Sequence, residues 1–402
     1  TTLPVMSSLP WVLPCLIDRT VRSPSDNSDH QPTFQPRSAT VDGIPRHNAN
    51  VDNAGPVIES LGDDVYALDT HMGGHTGITA SYLIRGSRPC LIETGTALSA
   101  PVVIDALAEL GIAPADLAGV VVTHIHLDHA GGAGDIAAHY PNAQVVVHEQ
   151  GARHLADPTR LVASAQRVFG PDMDRMFGPL LPTPSERLTT LGDRGFVDLG
   201  DGRRLDAFHN PGHAKHHVAL VDSLTGDLYT GDAAGVFVPD TAEVRPATPP
   251  PDFDLDLALD SLERMRAVRP TRLLFSHFGP VTDTEDVFEQ SEAELRYWVE
   301  QVSQAYHQGL DLEHAIVMVH QKIASGTRPS TTTPSELRSS RNYPAPGPRW
   351  PASGGGWSKT PRPLPANDYS GMSSSPSMSE ASALANHSRA CSSRPPAAKA
   401  LA

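Results

Sequence analysis

Three histidines and an aspartate fall within six residues in Thr123-His124-Ile125-His126-Leu127-Asp128-His129. Imidazole and carboxylate together suit zinc, and also iron or manganese. The apolar run just before them, 117–122, is broken only by Ala118 and Gly119 and predicts a buried strand. A strand ending in so many ligand-type side chains is costly without a metal, because packed imidazoles repel when protonated and lose solvation when neutral. Positions two apart in an extended segment point the same way, so His124 and His126 can grip one ion. Asp128 and His129 follow the turn and can face a second. Ala130-Gly131-Gly132-Ala133-Gly134 is small enough for the backbone to pass close to such a cluster and open a helix.

The segment resembles the His-x-His-x-Asp-His signature of the metallo-β-lactamase superfamily, and the remaining motifs of that family occur in its order. Asn210-Pro211-Gly212-His213 supplies a Pro-Gly-His turn, Thr230-Gly231-Asp232 a Thr-Gly-Asp turn, and Leu274-Phe275-Ser276-His277 a histidine at the end of a late strand. The resemblance covers about 56–326. It implies that His124, His126 and His213 hold one divalent ion, that Asp128, His129 and His277 hold another, and that Asp232 bridges them. Zinc is the first expectation, with iron or manganese as alternatives. The nucleophile implied is a hydroxide between the ions, with Asp128 ligating the second and orienting the hydroxide. Bound water can ionise near neutrality in such a site. No Gly-x-Ser-x-Gly elbow offers a protein nucleophile.

Two departures from the family pattern stand out. Where relatives commonly carry Ile-Asp-Thr-Gly, this chain reads Ile92-Glu93-Thr94-Gly95. Glu93 either accepts a hydrogen bond from the outer N–H of a ligand histidine or anchors the loop beside Gly95. After His213 the chain reads Ala214-Lys215-His216-His217. His217 keeps the place of a second family histidine and is expected to hydrogen-bond near the site. His216 replaces a glycine and reads as a surface residue. His75, in the glycine-marked turn 71–77, is either a substrate contact, as the family's hairpin implies, or a plain turn residue. His148 and His154 read as structural.

The elements that must position these residues follow from periodicity. Strands are expected near 57–68, 79–84, 89–93, 119–123, 144–148, 196–199, 204–209, 217–222, 227–230 and 272–276. Helices are expected at 101–110, with Pro101 at its start, and at 133–139, 254–267, 284–306 and 311–324. The stretch 150–190 reads as mostly helical or irregular. Its Met173, Met176 and Phe177 form either an apolar lid or ordinary helix core. The fold expected is an α/β, four-layer αβ/βα sandwich with the metals at one edge between two sheets.

Composition bounds the rest. Residues 1–55 and 327–402 are rich in Ser, Pro, Asn, Ala and Gly without a sustained period, and are expected to be disordered around a catalytic domain at 56–326. The tail carries nine Lys or Arg against three Asp or Glu, the first 55 residues four against five, and the net charge is −15, which leaves −20 on the middle. So acidic a domain repels phosphate, so nucleic acid is not an expected partner. The three cysteines are far apart, which excludes a disulfide framework and fits a cytoplasmic chain. The apolar stretch 12–17 is too short for a membrane span, and no basic stretch precedes it to suggest a signal peptide. The activity expected is hydrolysis of an ester, thioester or lactone of a small molecule. The alternatives are β-lactam hydrolysis and a noncatalytic metal-binding or redox partner domain.

Overall fold

The apolar runs at 90–92 and 119–121 are buried on both faces, as strands in the middle of a covered sheet must be. The computed structural model describes residues 55–311 and 314–319; the expected disordered ends lie outside them. The first sheet holds β1 (Ile58–Gly62), β2 (Val65–Asp69), β3 (Ala80–Ile84), β4 (Cys90–Ile92), β5 (Gly119–Val121), β6 (Gln144–His148) and β7 (Leu188–Leu191), paired in chain order. Its pairs are antiparallel up to β4 and parallel from β4 to β7. The second sheet is built from β8 (Arg194–Gly200), β9 (Arg203–His209), β10 (Val218–Asp222), β11 (Leu228–Gly231), β14 (Leu273–Phe275) and β15 (Gly279–Val281), in the order β15-β14-β11-β10-β9-β8. There β11 and β14 run parallel and the other pairs antiparallel. A separate ribbon pairs β12 (Val236–Val238) with β13 (Glu243–Arg245).

Between the sheets lies a core that includes Tyr82, Val121, Leu205, Leu220, Tyr229 and Leu274. Each buried aliphatic side chain contributes on the order of 1.5–3 kcal/mol. Tyr82 and Tyr229 meet edge to face at 5.4 Å, and the Tyr82 hydroxyl donates to the Phe275 carbonyl across the sheets. Helices α1 (Ala100–Glu109), α2 (Leu127–Ala130), α3 (Ala133–His139), α4 (Glu149–Ala156), α5 (Thr159–Phe169) and α6 (Met173–Phe177) belong to the first half. Of these, α1, α3 and α4 cover the outer face of the first sheet through residues such as Val103, Leu107, Ile136 and Leu155. Helices α7 (Leu255–Ala267) and α8 (Thr284–His307) cover the second sheet with Leu262, Met265, Val287 and Phe288. The result is the expected four-layer sandwich. Among the described residues no helix is long and apolar enough to cross a membrane.

Several elements differ from the periodicity. The single strand expected at 57–68 is a hairpin, because Asp63 and Asp64 take left-handed backbone and turn the chain. The short strands β7, β12, β13 and β15 and the one-turn helix α2 carry too few residues to show a period. The helix expected at 311–324 is described only over 314–319. Met173, Met176 and Phe177 are buried with Met72, Ile78 and Leu127, which makes them ordinary core rather than a lid.

Candidate metal centre

Parallel strands end on the same side, so β4 and β5 in one sheet, and β11 and β14 in the other, deliver their following residues to one edge of the sandwich. Backbone bonds tie the two edges together: Val218 N–H donates to Thr123 O at 2.8 Å, and Ala80 N–H to Ser276 O at 2.8 Å. Past β5, His126 keeps extended backbone as the residue before α2, and α2 then swings Asp128 and His129 to a different side.

Two trios result. His124 Nε2 lies 2.9 Å from His126 Nδ1, and His213 Nε2 lies 3.0 Å from the same atom. The three rings stand at 84°, 80° and 70° to one another. Lone pairs lie in the ring planes, so steeply inclined rings can aim them at one point. In the second trio His277 Nε2 is 3.2 Å from His129 Nε2 and 3.3 Å from Asp128 Oδ2, with Asp128 Oδ2 3.6 Å from His129 Nε2. Asp232 faces both trios. Its Oδ1 is 3.3 Å from His129 Nε2 and 3.5 Å from His277 Nε2, and its Oδ2 is 3.5 Å from His213 Nε2.

The outer nitrogens of His213, His277 and His124 are hydrogen-bonded, whereas His129 Nδ1 is buried without a hydrogen-bond partner. His213 Nδ1–H donates to Ala247 O at 2.9 Å, and His277 Nδ1–H to Ile78 O at 3.1 Å. The Thr123 hydroxyl donates to Glu93 Oε1 at 2.5 Å, which leaves its oxygen to accept from His124 Nδ1–H at 3.0 Å. These bonds turn the opposite nitrogens inward as lone pairs, the tautomer a metal ligand needs. Asp232 Oδ1 is buried without a hydrogen-bond partner. Inward lone pairs around such an orphaned carboxylate oxygen suit a cation, so the residues present fit a divalent-metal centre.

Electrostatics separate the trios. Burial pushes His124 well below the ordinary histidine value, with His129, His126 and His213 adding to the effect. Burial, then His213, takes His126 down to about 3, and burial also lowers His213. In the second trio burial opposes charge on His129, but the Asp232 and Asp128 carboxylates hold it well above the ordinary value. His277 is raised in the same way, with Asp232 overcoming its burial. Burial likewise works against charge on Asp128 and Asp232, yet the facing histidines keep both low.

Glycines make the turns possible. Gly231 has φ 50°, and a Cβ there would sit 2.4 Å from His217 Nε2 and 2.6 Å from Thr123 Oγ1. Gly212, at φ 127°, brings its turn within 2.3 Å of the Ala258 nitrogen at a built Cβ, which seats the His213 loop against α7.

His217 is fully buried, and its Nε2 accepts from Asp232 N–H at 3.1 Å, near the site as expected. Glu93 is also buried and contacts both kinds of partner that its two readings invoke: His129 Nδ1 at 3.5 Å and the hydroxyls of Thr123 and Ser276. His75 is exposed in its turn. His216 is not the surface residue expected. It is buried, its Nδ1 accepts from Ile125 N–H at 3.4 Å, and its ring lies 5.9 Å from that of His126. Thr123, Ser276 and the carbonyls of Ile78 and Ala247 were not singled out from the sequence. Thr123, adjoining His124, and Ser276, adjoining His277, carried a signal there; a backbone carbonyl has none.

A family model described as the metallo-beta-lactamase superfamily matches residues 74–277. The chain belongs to this superfamily. Within it, the chain is 32% identical over 168 residues to the metallo-beta-lactamase fold-containing protein ST1585 of Sulfurisphaera tokodaii, covering 40% of this chain and 61% of that protein. It is 32% identical over 162 residues to the acyl-coenzyme A thioesterase MBLAC2 of Gallus gallus, 38% of this chain and 56% of that one. It is 27% identical over 164 residues to the atrochrysone carboxyl ACP thioesterase of Aspergillus chevalieri, 38% of this chain and 39% of that one. The chain thus spans less than two thirds of the length of each of these relatives. The crystal structure of the archaeal superfamily member ST1585 superposes with a TM-score of 0.50 at 26% identity, covering 59% of this chain and 87% of that one.

Proposed function

We propose that the chain is a dinuclear metallo-hydrolase that cleaves an ester, thioester or lactone of a small molecule. The observation that carries this reading is Asp232, whose two carboxylate oxygens face separate ligand trios. His124, His126 and His213 would hold one ion and Asp128, His129 and His277 the other, with zinc, iron or manganese each suited to the donors. Bound there, the ions supply a nucleophilic hydroxide near neutral pH and a Lewis acid for the scissile carbonyl. The protein's part is orientation. The Ala247, Ile78 and Thr123 acceptors lock the imidazoles, and the α2 turn fixes Asp128 beside His277. His126 and Asp128 are only partly buried, whereas His124 and His129 are buried, so they are the members of the His-x-His-x-Asp-His run that line the open side where substrate arrives. Asp128 is therefore the residue assigned to orient the nucleophile. The acidic middle of the chain favours a small-molecule substrate over a nucleic acid.

Two of the relatives named above are thioesterases, which supports placing thioesters in the substrate class. The test is an activity screen of metal-loaded protein against ester, thioester, lactone and β-lactam panels. Turnover of an acyl ester, thioester or lactone that is lost in Asp128→Asn supports the reading. Turnover confined to β-lactams, or none on any panel by fully loaded protein, contradicts it.

A further inference from the structure

Glu93 sits at the end of β4 with left-handed backbone, φ 63°, a conformation that a non-glycine residue keeps only where its surroundings hold it. The side chain is 2% exposed, and one of its oxygens collects three contacts. Oε1 accepts from the Thr123 hydroxyl at 2.5 Å and from the Ser276 hydroxyl at 3.3 Å, and lies 3.5 Å from His129 Nδ1. The Thr123 oxygen in turn accepts from His124 Nδ1–H at 3.0 Å. Thr123 follows β5 in the first sheet, and Ser276 follows β14 in the second and precedes His277. One buried oxygen therefore reaches a histidine of the first trio through a hydroxyl, faces at 3.5 Å the otherwise unpartnered Nδ1 of a histidine of the second, and joins strand ends of both sheets.

We propose that Glu93 is a positioning residue shared by the two metal sites, so that a single carboxylate sets the orientation and basicity of a ligand in each. Groups that orient ligand histidines typically change metal affinity by about 10–100-fold when removed. The contacts make the two branches separable. Loss of the Thr123 hydroxyl cuts the branch to His124 and leaves Glu93 beside His129. Loss of the Glu93 charge weakens both branches. The proposal rests on the two-metal reading.

The experiment titrates the full metal-free chain with cadmium and follows 113Cd NMR, which separates a site of three imidazoles and the shared Asp232 carboxylate from one of two imidazoles and two carboxylates; His213→Ala assigns the first signal. The number of wild-type signals decides the two-metal reading by itself, and the changes between wild type and variants decide the role of Glu93. Thr123→Val is expected to weaken cadmium at the first site about tenfold and to leave the second within about twofold. Glu93→Gln is expected to weaken both sites by about tenfold or more, with the metal-free melting temperature reporting that the fold is intact. Should Glu93→Gln not fold, Thr123→Val decides. Equal weakening of both sites by Thr123→Val, no weakening by it, or a folded Glu93→Gln protein that loses affinity at one site only would overturn the proposal.

Discussion

The trio His124, His126 and His213 and the pair His148 with His209 are both clusters of histidines at strand ends, and both bring ligand-type atoms within 4.8 Å. They differ in ring angle. In the trio the rings stand 70° to 84° apart and can aim three lone pairs at one point. His148 and His209 are stacked at 4.3 Å with planes only 12° apart, so their lone pairs run side by side. Their third member, Asp193, has a side chain 94% exposed, whereas the Asp232 side chain is 8% exposed. The tautomers differ as well. His148 Nδ1 accepts from Gln150 N–H, which puts the proton of the neutral ring on Nε2 and leaves that atom a buried donor. Residue type and proximity alone therefore do not distinguish a ligand set; the trio adds inclined rings and, for His124 and His213, a hydrogen-bond acceptor on the outer nitrogen.

The comparison breaks most sharply at His126, whose Nδ1 is the shared short contact of the trio. His126→Ala is expected to empty the first site and to lower turnover by about a thousandfold or more, the scale of losing one member of a group that acts as a unit. Metal analysis and initial rates on the variant check this; full occupancy would show that His126 is no ligand. Asp232→Ala comes next, because Asp232 faces both trios. It should weaken metal at both sites, read as two shifted dissociation constants in a chelator competition. A shift at only one site would remove the bridge.

Acidification should separate the two trios. His124, His126 and His213 are pushed down, so they offer lone pairs without losing protons at neutral pH. His129 and His277 are pushed up, so an ion entering there must displace protons that the metal-free site holds below those raised values. Lowering the pH from 7.5 to 6 should weaken the second site by about tenfold per displaced proton per pH unit and leave the first almost flat. Calorimetric titration in buffers of different ionisation enthalpy reads the proton count; equal pH slopes for the two sites would contradict the assignment. The smallest effect expected is at the stacked pair. His209→Ala should leave metal content unchanged and change turnover by less than about twofold. A lost equivalent of metal would show that stacked rings reorient to bind.

What could be read before the structure divides along physical lines. The run 124–129 stood out because four ligand-type residues follow an apolar strand run, the family resemblance implied His213, Asp232 and His277, and the structure gathers all seven at one edge. The long periodic elements, the helices expected at 254–267 and 284–306, fall within a residue of where the pattern puts them. The ribbon of β12 and β13 has three residues to a strand, too short for an alternation to show. The Ile78 and Ala247 acceptors are backbone atoms whose placement comes from tertiary packing, and no side chain announces them. His216 misled because a histidine in place of a glycine reads as a surface change, whereas the fold gives it the Ile125 N–H to accept. Glu93 was visible as a charge kept at a strand end, but its reach to both trios depends on the turn after β5 folding Thr123 and His129 around its carboxylate.

The central claim is that two trios and a shared aspartate form a two-ion centre on which hydrolysis depends. Elemental analysis of gently purified protein, paired with rates before and after chelation, tests it most directly. The account predicts close to two equivalents of zinc, iron or manganese per chain, with activity lost on chelation and regained on adding the ion back. A consistent value near zero, with activity retained in excess chelator, would contradict it.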